Sequence, residues 1–490
     1  MTRLRKILIV LLVILVLLAA LVWWATRGDT ASLSVDAVTG TDPQLVDPDA
    51  QTIPTVNIAK PIGWADGEIP DAAEGLQVQR FAEGLDHPRV VYTLPNGDVL
   101  VTLTRAPAKE GKGGITAWIA GLLMDSAGAG GVSPDELVLL RDADGDGVAE
   151  GRFTLSDSLA SPSGIAWADG VLYIANHDAL VSFPYTLGAT TLAGEAKSLM
   201  ALPAAGNHWM RNIALDPAGE NIYIAVGSDS NIGEKGMARE EGRAAIHEYN
   251  IAGGTSRIYG AGLRNPNGLD WNPWNGELWT TVNERDMLGS DLVPDYLTNV
   301  QVGAQYGWPW VYWGDNIDER VDSPIPTFVS SYTRTPEYAL GPHVAALGLA
   351  FTREGHRMGA RFANGAFIAR HGSWNRKPAS GYDVVFVSYD ARGNPQGKPQ
   401  PVLTGFLNGE GETRGRPTWV AWAQDGALLA SDDTAGIIWR VMAPGAAPAP
   451  AIVQVERERL PPQRQLRGDP ADAFSEEFAR ENPPGFDTMN

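Results

Sequence analysis

The sequence predicts an all-β fold, a six-bladed β-propeller, and two observations support this prediction. One phrase occurs six times: an apolar strand, a tight turn marked by a glycine, and a second strand of alternating character. In addition, the 55 glycines and 34 prolines are spread along the chain, which suits short strands joined by turns better than long helices. We interpret each phrase as one hairpin of a four-stranded blade.

The phrases are spaced as propeller blades are. Successive copies lie about 50 to 90 residues apart, and a blade needs about 40–50 residues before loop insertions are added. A β-sandwich of about 100 residues is the alternative, but it gives no reason for a phrase to recur over about 330 residues. The glycines of the six copies are Gly97, Gly170, Gly219, Gly276, Gly365 and Gly426.

The N-terminal residues 1–27 predict a membrane anchor. Residues 7–26 carry no charge, and a helix of this length spans about 30 Å of hydrocarbon. Arg3, Arg5 and Lys6 precede the stretch, which favours a cytoplasmic N-terminus. We therefore expect a single-pass transmembrane helix in the inner membrane, with the rest of the chain in the periplasm. A cleaved secretory signal is the alternative, but its apolar core would usually be shorter.

Composition divides the rest of the chain into three parts. Residues 28–75 are predicted to form a linker and extended lead-in, residues 76–443 the propeller domain, and residues 444–490 a Pro/Ala-rich and charged tail. Within the propeller, the apolar stretch 113–131 is a lid, a membrane-contacting patch or an insertion packed on the side of the first blade.

Charge and residue types argue against several functions. The net charge of −20 argues against nucleic acid as a partner, because nucleic acid requires a basic footprint. The chain has no cysteine, which excludes disulfides and thiol catalysis. No GxGxxG loop connects a strand to a helix, so a nicotinamide cofactor is not expected.

Polar residues beside the phrases are candidates to meet in space, because propeller loops gather at one end of the central channel. His208 and Arg211 precede the third phrase, and Arg264 and Asn265 precede the fourth. A histidine can accept a proton near neutrality, and an arginine beside it offers a positive fork to an anion. A structural histidine at a blade turn is the alternative.

Arginines also flank the last two phrases. Arg376 follows the fifth phrase, five residues after His371, and Arg414 and Arg416 precede the sixth. In an acidic protein, arginines concentrated at blade ends favour an anionic ligand. The alternative for each of them is a solvated loop charge.

A short acidic run resembles the start of a calcium loop. Asp142, Asp144 and Asp146 have the 1, 3, 5 spacing of such a loop, and Gly147 stands at position 6. Position 12 is Phe153, which lacks the bidentate carboxylate that closes an EF-hand. The run is therefore either a surface turn or a weak calcium site.

Six motifs together resemble the PQQ-dependent glucose/sorbosone dehydrogenase family, and they occur in the same order. The resemblance covers roughly residues 76–443 and is closer to the L-sorbosone dehydrogenase-like branch than to the soluble glucose dehydrogenases. The motifs are HWMRN at 208–212, GLRNPNGL at 262–269, NERDMLGSDLVPDYLT at 283–298, YGWPW at 306–310, HGSWNR at 371–376 and GRPTW at 415–419.

The resemblance implies a six-bladed propeller with pyrroloquinoline quinone (PQQ) and Ca²⁺ as cofactors, which oxidises an aldose or a sugar aldehyde. It implies that His208 takes the proton of the substrate hydroxyl, with Arg264 beside it, as hydride passes to the quinone. PQQ carries three carboxylates, so it requires arginine forks. The cofactor contacts that the resemblance implies are Arg211, Arg264, Asn265, Arg376 and Arg416.

The metal ligands match this family less well. In its soluble glucose enzymes calcium takes two consecutive backbone carbonyls from a Gly-Pro pair, and the equivalent pair here is Arg285 and Asp286. The departure leaves the carbonyl assignment open, with the carboxylate of Asp286 as the other candidate ligand.

The expected partners are a small sugar substrate, the membrane through the N-terminal helix, and an electron acceptor such as a quinone or cytochrome. Two other classes of protein stay open. One is a cell-envelope propeller that only binds sugars or protein partners. The other is a calcium-dependent lactonase, which would need several inward acidic or Asn ligands and no arginine cradle.

Overall fold

The computed structural model describes residues 3–107, 115–204 and 206–455, and it confirms the all-β six-bladed propeller. Each sequence phrase falls in the first hairpin of one antiparallel sheet, which we call a blade and number in chain order; the phrase around Gly365 contains only the second strand of that hairpin. Five of the six phrase glycines lie in the turn of that hairpin with φ between +67° and +92°. Gly365 instead begins the second strand, where a Cβ would lie 2.2 Å from the Val387 carbonyl oxygen.

Each blade has four main strands. In blades 1 to 3 they are Pro88–Thr93, Val99–Leu103, Glu136–Arg141 and Gly151–Ser156; Gly164–Ala168, Val171–Ala175, Ala179–Pro184 and Lys197–Ala201; and Ile213–Leu215, Asn221–Val226, Ala245–Asn250 and Thr255–Ala261. In blades 4 to 6 they are Asn265–Trp271, Leu278–Asn283, Pro294–Val300 and Tyr338–Pro342; Ala346–Phe351, Gly365–Arg370, Asp383–Tyr389 and Pro395–Thr404; and Pro417–Trp422, Leu428–Asp432, Ile437–Met442 and Gln77–Ala82.

The ring closes in the sixth blade, where strands from the two ends of the propeller pair. Gln77–Ala82 runs antiparallel to Ile437–Met442. The first strand of every blade contacts the first strand of both neighbouring blades around the full circle. Glycines permit this close approach: a Cβ on Gly164, Gly268 or Gly348 would lie 2.4–2.6 Å from backbone atoms of the next blade.

The hydrophobic core lies between neighbouring blades. Between blades 4 and 5, for example, Trp279 packs edge-on against Phe351 and Tyr389, with ring centroids 6.1 and 5.4 Å apart. All three side chains are buried. Aromatic pairs of this kind bury a large apolar area and hold adjacent sheets at a fixed angle.

The smaller elements decorate this ring. Ala304–Gln305 extends blade 3 and Asp71–Ala72 extends blade 5, while Lys60–Pro61 pairs with Glu412–Thr413 and Val311–Tyr312 with Asn316–Ile317. The helices are Arg3–Thr26, Ile115–Ser126 and Thr327–Tyr332, with 3₁₀ turns at Met237–Glu240 and Ala360–Phe362. Residues 113–114 of the predicted apolar insertion and 456–490 of the predicted tail lie outside the described residues.

The N-terminal prediction needs a correction. Residues 7–26 do fall within the 24-residue helix Arg3–Thr26. However, none of the helices in the described ranges meets the combined length and apolarity that crossing a bilayer requires. The prediction of a transmembrane helix is therefore not supported.

The lead-in packs on the loops of blades 4 to 6. The backbone N–H of Gln51 donates to the Met287 carbonyl at 3.0 Å, and that of Asn57 donates to the Trp374 carbonyl at 2.8 Å. Both acceptors follow the second strand of their blade, at the same end of the ring where the first strand starts. We call this end of the ring the mouth.

Candidate active site

The mouth collects five of the predicted site residues. His208, Arg264 and Arg416 directly precede first strands, Asn265 begins one, and Asp286 follows a second strand. Because each hairpin starts and ends at this face, residues far apart in sequence lie around one opening.

His208 is held as a neutral base. Its Nδ1 lies 2.8 Å from the Ser228 carbonyl oxygen and 3.0 Å from the Ser228 hydroxyl. Because a carbonyl only accepts, Nδ1 carries the proton and Nε2 is left as the acceptor. Burial, and then the charge of Arg264, lower the pKa of His208 to about 3. The imidazole is partly accessible and stays neutral at physiological pH.

Arg264 has no spare hydrogen-bond donor. Its Nε donates to the Asn231 carbonyl at 3.1 Å, and Nη1 donates to the carbonyls of Asn283 and Glu284 at 3.3 and 2.6 Å. Nη2 donates to Asn231 Oδ1 at 2.9 Å and to Asp286 Oδ2 at 3.1 Å. These five bonds use all five N–H groups of a guanidinium, so its position and orientation are fixed.

Asp286 holds a histidine on its other oxygen. Oδ1 lies 3.4 Å from His343 Nδ1, and His343 Nε2 lies 3.0 Å from the Gly289 carbonyl oxygen. Burial alone would raise the pKa of Asp286, but the hydrogen bond to His343 and the charge of Arg264 lower it overall. Burial would lower the pKa of His343, but Asp286 raises it above its ordinary value. We call Asp286, Arg264 and His343 the Asp286 cluster.

Arg416 keeps unused donors. Its Nη2 lies 3.4 Å from the Ala59 carbonyl oxygen, and Nε finds no partner among the described residues. The guanidinium stands 5.1 Å from the ring centroid of Tyr382. The same residue is anchored through its backbone N–H, which donates to Asp432 Oδ1 at 2.8 Å. A cationic group held in this way is available to an anionic ligand.

A second carboxylate at the mouth is buried and was not predicted from the sequence. Asp433 accepts from Arg89 Nη1 at 2.6 Å and lies 3.0 Å from His371 Nε2 and 3.4 Å from His87 Nε2. Burial would raise the pKa of Asp433, but the two histidines and Arg89 hold it well below its ordinary value. Burial lowers the pKa of His87 to about 4. We call these four residues the Asp433 cluster.

Arg89 links this cluster to the His208 loop. Its Nη2 lies 2.9 Å from the Met210 sulfur, and its guanidinium stands 5.5 Å from the ring centroid of Trp209. Its Nε has no partner in the described part of the chain. A thioether is a weak acceptor, so two positions of this guanidinium remain poorly satisfied.

A sequence signal for these residues existed. His87 and Arg89 flank the start of the first strand of blade 1, the position relative to the blade that His208, Arg264 and Arg416 hold in theirs. Applying that positional argument to all six phrases would have found them.

Two predicted cofactor contacts, Arg211 and Arg376, are largely engaged within the protein. Arg211 is completely buried, and its Nη1 donates to the carbonyls of His208 and Met210 at 3.0 and 2.8 Å. Arg376 is also buried, with Nη2 3.3 Å from Asp291 Oδ1 and Nη1 2.9 Å from the Pro378 carbonyl oxygen. Both guanidiniums brace their own loops with their Nη groups, and the Nε of each has no partner among the described residues.

The side chain of Arg285, whose backbone carbonyl is the predicted calcium ligand, is structural. It is completely buried and donates to Glu284 Oε2 at 3.0 Å, to the Pro309 carbonyl at 2.6 Å and to the Val311 carbonyl at 2.7 Å. Nη1 also lies 3.2 Å from Asp318 Oδ2.

The acidic run of blade 1 gains one carboxylate that its sequence spacing did not indicate. Carboxylate oxygens of Asp142, Asp144, Asp146 and Glu150 all lie within 4.8 Å of one another. Most of these groups are exposed, and they are occupied by hydrogen bonds to backbone N–H groups of their own turn. Because such clusters are common on surfaces without an ion, this one supports no assignment.

The mouth combines guanidinium groups with carboxylates. Arg89, Arg264 and Arg416 lie there with the carboxylates of Asp286, Asp432 and Asp433, and His208 is neutral. Unused N–H donors of guanidinium groups, beside a histidine of fixed tautomer, are suited to an anionic ligand and to proton transfer.

The fold and this site define a six-bladed propeller whose mouth is lined by arginine, aspartate and histidine side chains. The sequence matches the family described as TrAA12-like over residues 70–304 and 314–443. The chain therefore belongs to the TrAA12-like family. This family is consistent with the broader PQQ-dependent sugar dehydrogenase resemblance, whereas nothing singles out the sorbosone dehydrogenase branch.

Similar proteins agree with this assignment. A PQQ-dependent pyranose dehydrogenase of Coprinopsis cinerea is 23% identical over 428 residues, which cover 75% of this chain and 54% of that protein. The chain thus spans about half the length of that relative. The PQQ domain of a pyranose dehydrogenase from the same organism, solved in holo form, has a similar fold: TM-score 0.60, 20% identity, covering 79% of this chain and all of that one.

A third similar protein is an enzyme of carbohydrate-active enzyme family AA12 from Trichoderma reesei. Its calcium structure gives a TM-score of 0.61 at 19% identity and covers 76% of this chain and 97% of that one. At this identity the likeness concerns the fold alone.

Proposed function

We propose that this chain is a PQQ-dependent oxidoreductase that oxidises a sugar. The observation that carries the proposal is the pairing, at one mouth, of under-used guanidiniums with a neutral histidine whose Nε2 is the free acceptor. The Coprinopsis relative, named a PQQ-dependent pyranose dehydrogenase, supports it.

The residues at the mouth fit PQQ. Its three carboxylates require cationic donors, and Arg416 and Arg89 have N–H groups to give. Asn265 adds a side-chain oxygen that is buried without a partner among the described residues. When bound, PQQ supplies an ortho-quinone that accepts two electrons from the substrate as a hydride.

His208 and Arg264 act on the substrate side of the proposal. The Nε2 of His208 accepts the proton of the reacting hydroxyl, and the Ser228 carbonyl holds Nδ1–H so that the ring cannot change tautomer. Arg264 is immobilised beside it and offers a fixed positive charge to the oxygen that loses the proton. An anionic ligand would offset the charge that lowers the pKa of His208 and so strengthen it as a base.

The substrate class is part of the proposal. An aldose hydroxyl, or the hydrate of a sorbosone-like aldehyde, supplies both the proton and the hydride. A quinone or cytochrome is the proposed electron acceptor. A periplasmic location stays a prediction from the N-terminal sequence, and fractionation of the full-length chain tests it.

Titration of the purified chain with PQQ tests the proposal. The absorbance of the bound quinone should saturate at one equivalent, and the loaded protein should reduce a dye when an aldose is added. Arg416→Gln should weaken PQQ binding by roughly tenfold or more, as expected for loss of a charged hydrogen bond.

Arg414→Gln is the matched control. Arg414 lies two residues away and pairs with Glu68 at 2.7 Å rather than facing the mouth. Equal affinities for the two variants would place the ligand elsewhere. A chain that binds a sugar but no PQQ would support the binding-only propeller.

A further inference from the structure

We infer that the cofactor site of this chain works without a calcium ion, because the guanidinium of Arg320 occupies the backbone carbonyl of Asp286, one of the two predicted metal ligands, and the next carbonyl along the chain. The inference rests on the proposed function. It departs from the expectation that Arg285 and Asp286 ligate calcium.

Arg320 caps two consecutive carbonyls. Its Nη1 donates to the carbonyl oxygens of Asp286 and Met287 at 3.0 and 2.9 Å. The other edge of the guanidinium is fixed by Asp318, with Nε 2.8 Å from Oδ1 and Nη2 2.7 Å from Oδ2. Asp318 is buried, so this cation is held firmly on the carbonyl pair.

Each of these carbonyls also has a second donor. Asn231 Nδ2 lies 3.1 Å from the Asp286 oxygen, and the backbone N–H of Gln51 donates to the Met287 oxygen at 3.0 Å. A carbonyl oxygen has two lone pairs, so neither oxygen has one left for a metal.

The carboxylate alternative is opposed by the neighbouring cation, not by a lack of lone pairs. One oxygen of Asp286 accepts from Arg264 at 3.1 Å and the other lies 3.4 Å from His343. Calcium takes six to eight oxygen ligands at about 2.3–2.6 Å. Reaching them here would bring a divalent ion against Arg320 and Arg264, and displacing either would break an ion pair with a carboxylate.

The arrangement therefore replaces a metal with fixed side-chain cations. Arg320 holds the loop after the second strand of blade 4 in shape, the structural task that a bound ion performs on backbone carbonyls. Arg264 adds positive charge beside the Asp286 carboxylate, and His343 contacts its other oxygen.

The test uses full-length protein freed of metal by a chelator. The substitutions Asp142→Asn and Asp144→Asn remove two carboxylates of the acidic run in blade 1, so that calcium binding there does not affect the measurement. PQQ is titrated with chelator present and with millimolar calcium, and affinity is read from the absorbance of bound quinone. We expect the two affinities to agree within threefold.

The outcomes are distinct. PQQ binding only with calcium, or more than tenfold tighter with it, would overturn the inference and leave the proposed function intact. Absence of PQQ binding under both conditions would overturn the proposed function and this inference with it.

A variant supplies a positive signal. Arg320→Gln removes the cap, so calcium should now raise the melting temperature and restore PQQ affinity, whereas calcium should leave the parent unchanged. Arg334→Gln is the control, because Arg334 lies in the same inter-strand segment and bonds Gln301 Oε1 at 2.9 Å on an exposed surface. A calcium-induced rise in the melting temperature of the parent would contradict the replacement of metal by Arg320. So would the absence of such a rise in both the parent and Arg320→Gln.

Discussion

Two carboxylates of the mouth have similar partners, but the arginines that pair with them differ in how many N–H groups they leave unused. Asp286 pairs with Arg264 and His343, and Asp433 pairs with an arginine and two histidines. Arg264 uses every N–H it has, whereas Arg89 leaves Nε without a partner in the described residues and places Nη2 on a thioether. The Asp286 cluster is thus closed and sets geometry, while the Asp433 cluster retains donors for a ligand.

The largest effect should come from removing the carboxylate of the second cluster. Asp433→Asn leaves the buried Arg89 without its counter-charge, which typically costs about 3–5 kcal/mol of unfolding free energy. Urea denaturation measures it. The control is Asp425→Asn, whose half-exposed carboxylate pairs with Arg440 and should contribute less than about 1 kcal/mol.

The same variant changes the acid stability. The pKa of Asp433 lies well below its ordinary 3.8, so its stabilisation is complete above pH 3.8 and is lost as pH falls below that value. Asp433→Asn should therefore lose less stability than the parent below this pH. An unchanged acid limb would show that the carboxylate is not ionised in the fold.

The next largest effect should be on turnover, from replacing His208, the proposed base beside the Asp286 cluster. His208→Gln should keep PQQ bound while turnover falls by about 10²–10⁴-fold, because the proton acceptor is lost. Stopped-flow reduction of bound PQQ measures it. A variant that reduces its cofactor at the parental rate would return His208 to a structural role.

The pH dependence of His208 sharpens this prediction. Burial and Arg264 lower the pKa of its imidazole from 6.5 to about 3 in the cofactor-free protein. The unfolded chain binds this proton near pH 6.5, so the fold loses stability as pH falls from 6.5 towards 3. His208→Gln should remove about one proton of that slope, which denaturation at several pH values will show.

Substitutions of Arg89 and Arg264 should distinguish the role of the Asp433 cluster from that of the Asp286 cluster. Arg89→Gln should weaken PQQ binding by about 1.5–3 kcal/mol, because Arg89 has donors to give. Arg264→Gln should lower turnover more than affinity, since its N–H groups are spent within the protein. Comparison of Kd with the rate of cofactor reduction decides it, and the reverse order would contradict the distinction.

The smallest effect on binding should come from Arg376. Both of its Nη groups are engaged, with Asp291 and the Pro378 carbonyl, so Arg376→Gln should change PQQ affinity by less than twofold. The melting temperature should fall instead, because buried Asp291 loses a partner. A loss of affinity without a loss of stability would restore Arg376 to the cofactor site.

The fold was predictable because each blade repeats its own local signal. The glycine turns, the apolar first strand and the spacing are readable within about 15 residues. Gly365 is the one phrase glycine that does not lie in a turn. A glycine is required there because a Cβ would meet the Val387 carbonyl oxygen, which only the packing shows.

The site was predictable only in part because side-chain direction depends on distant partners. The position before a first strand gave His208 and Arg416. Arg376 pairs with Asp291, 85 residues earlier in the chain, and no local sequence pattern predicts that pairing. The capping of the Asp286 carbonyl by Arg320 is similarly long-range.

The pairing of an N-terminal strand with a C-terminal strand in blade 6 has a consequence for how the protein is made. Gln77–Ala82 leaves the ribosome early, but its partner Ile437–Met442 is synthesised only after all the other blades. Until then both ends of the growing array present unpaired strand edges, which can pair with other chains. Ring closure is therefore the last step available to the nascent chain, and protection from aggregation during synthesis depends on how quickly that final strand docks.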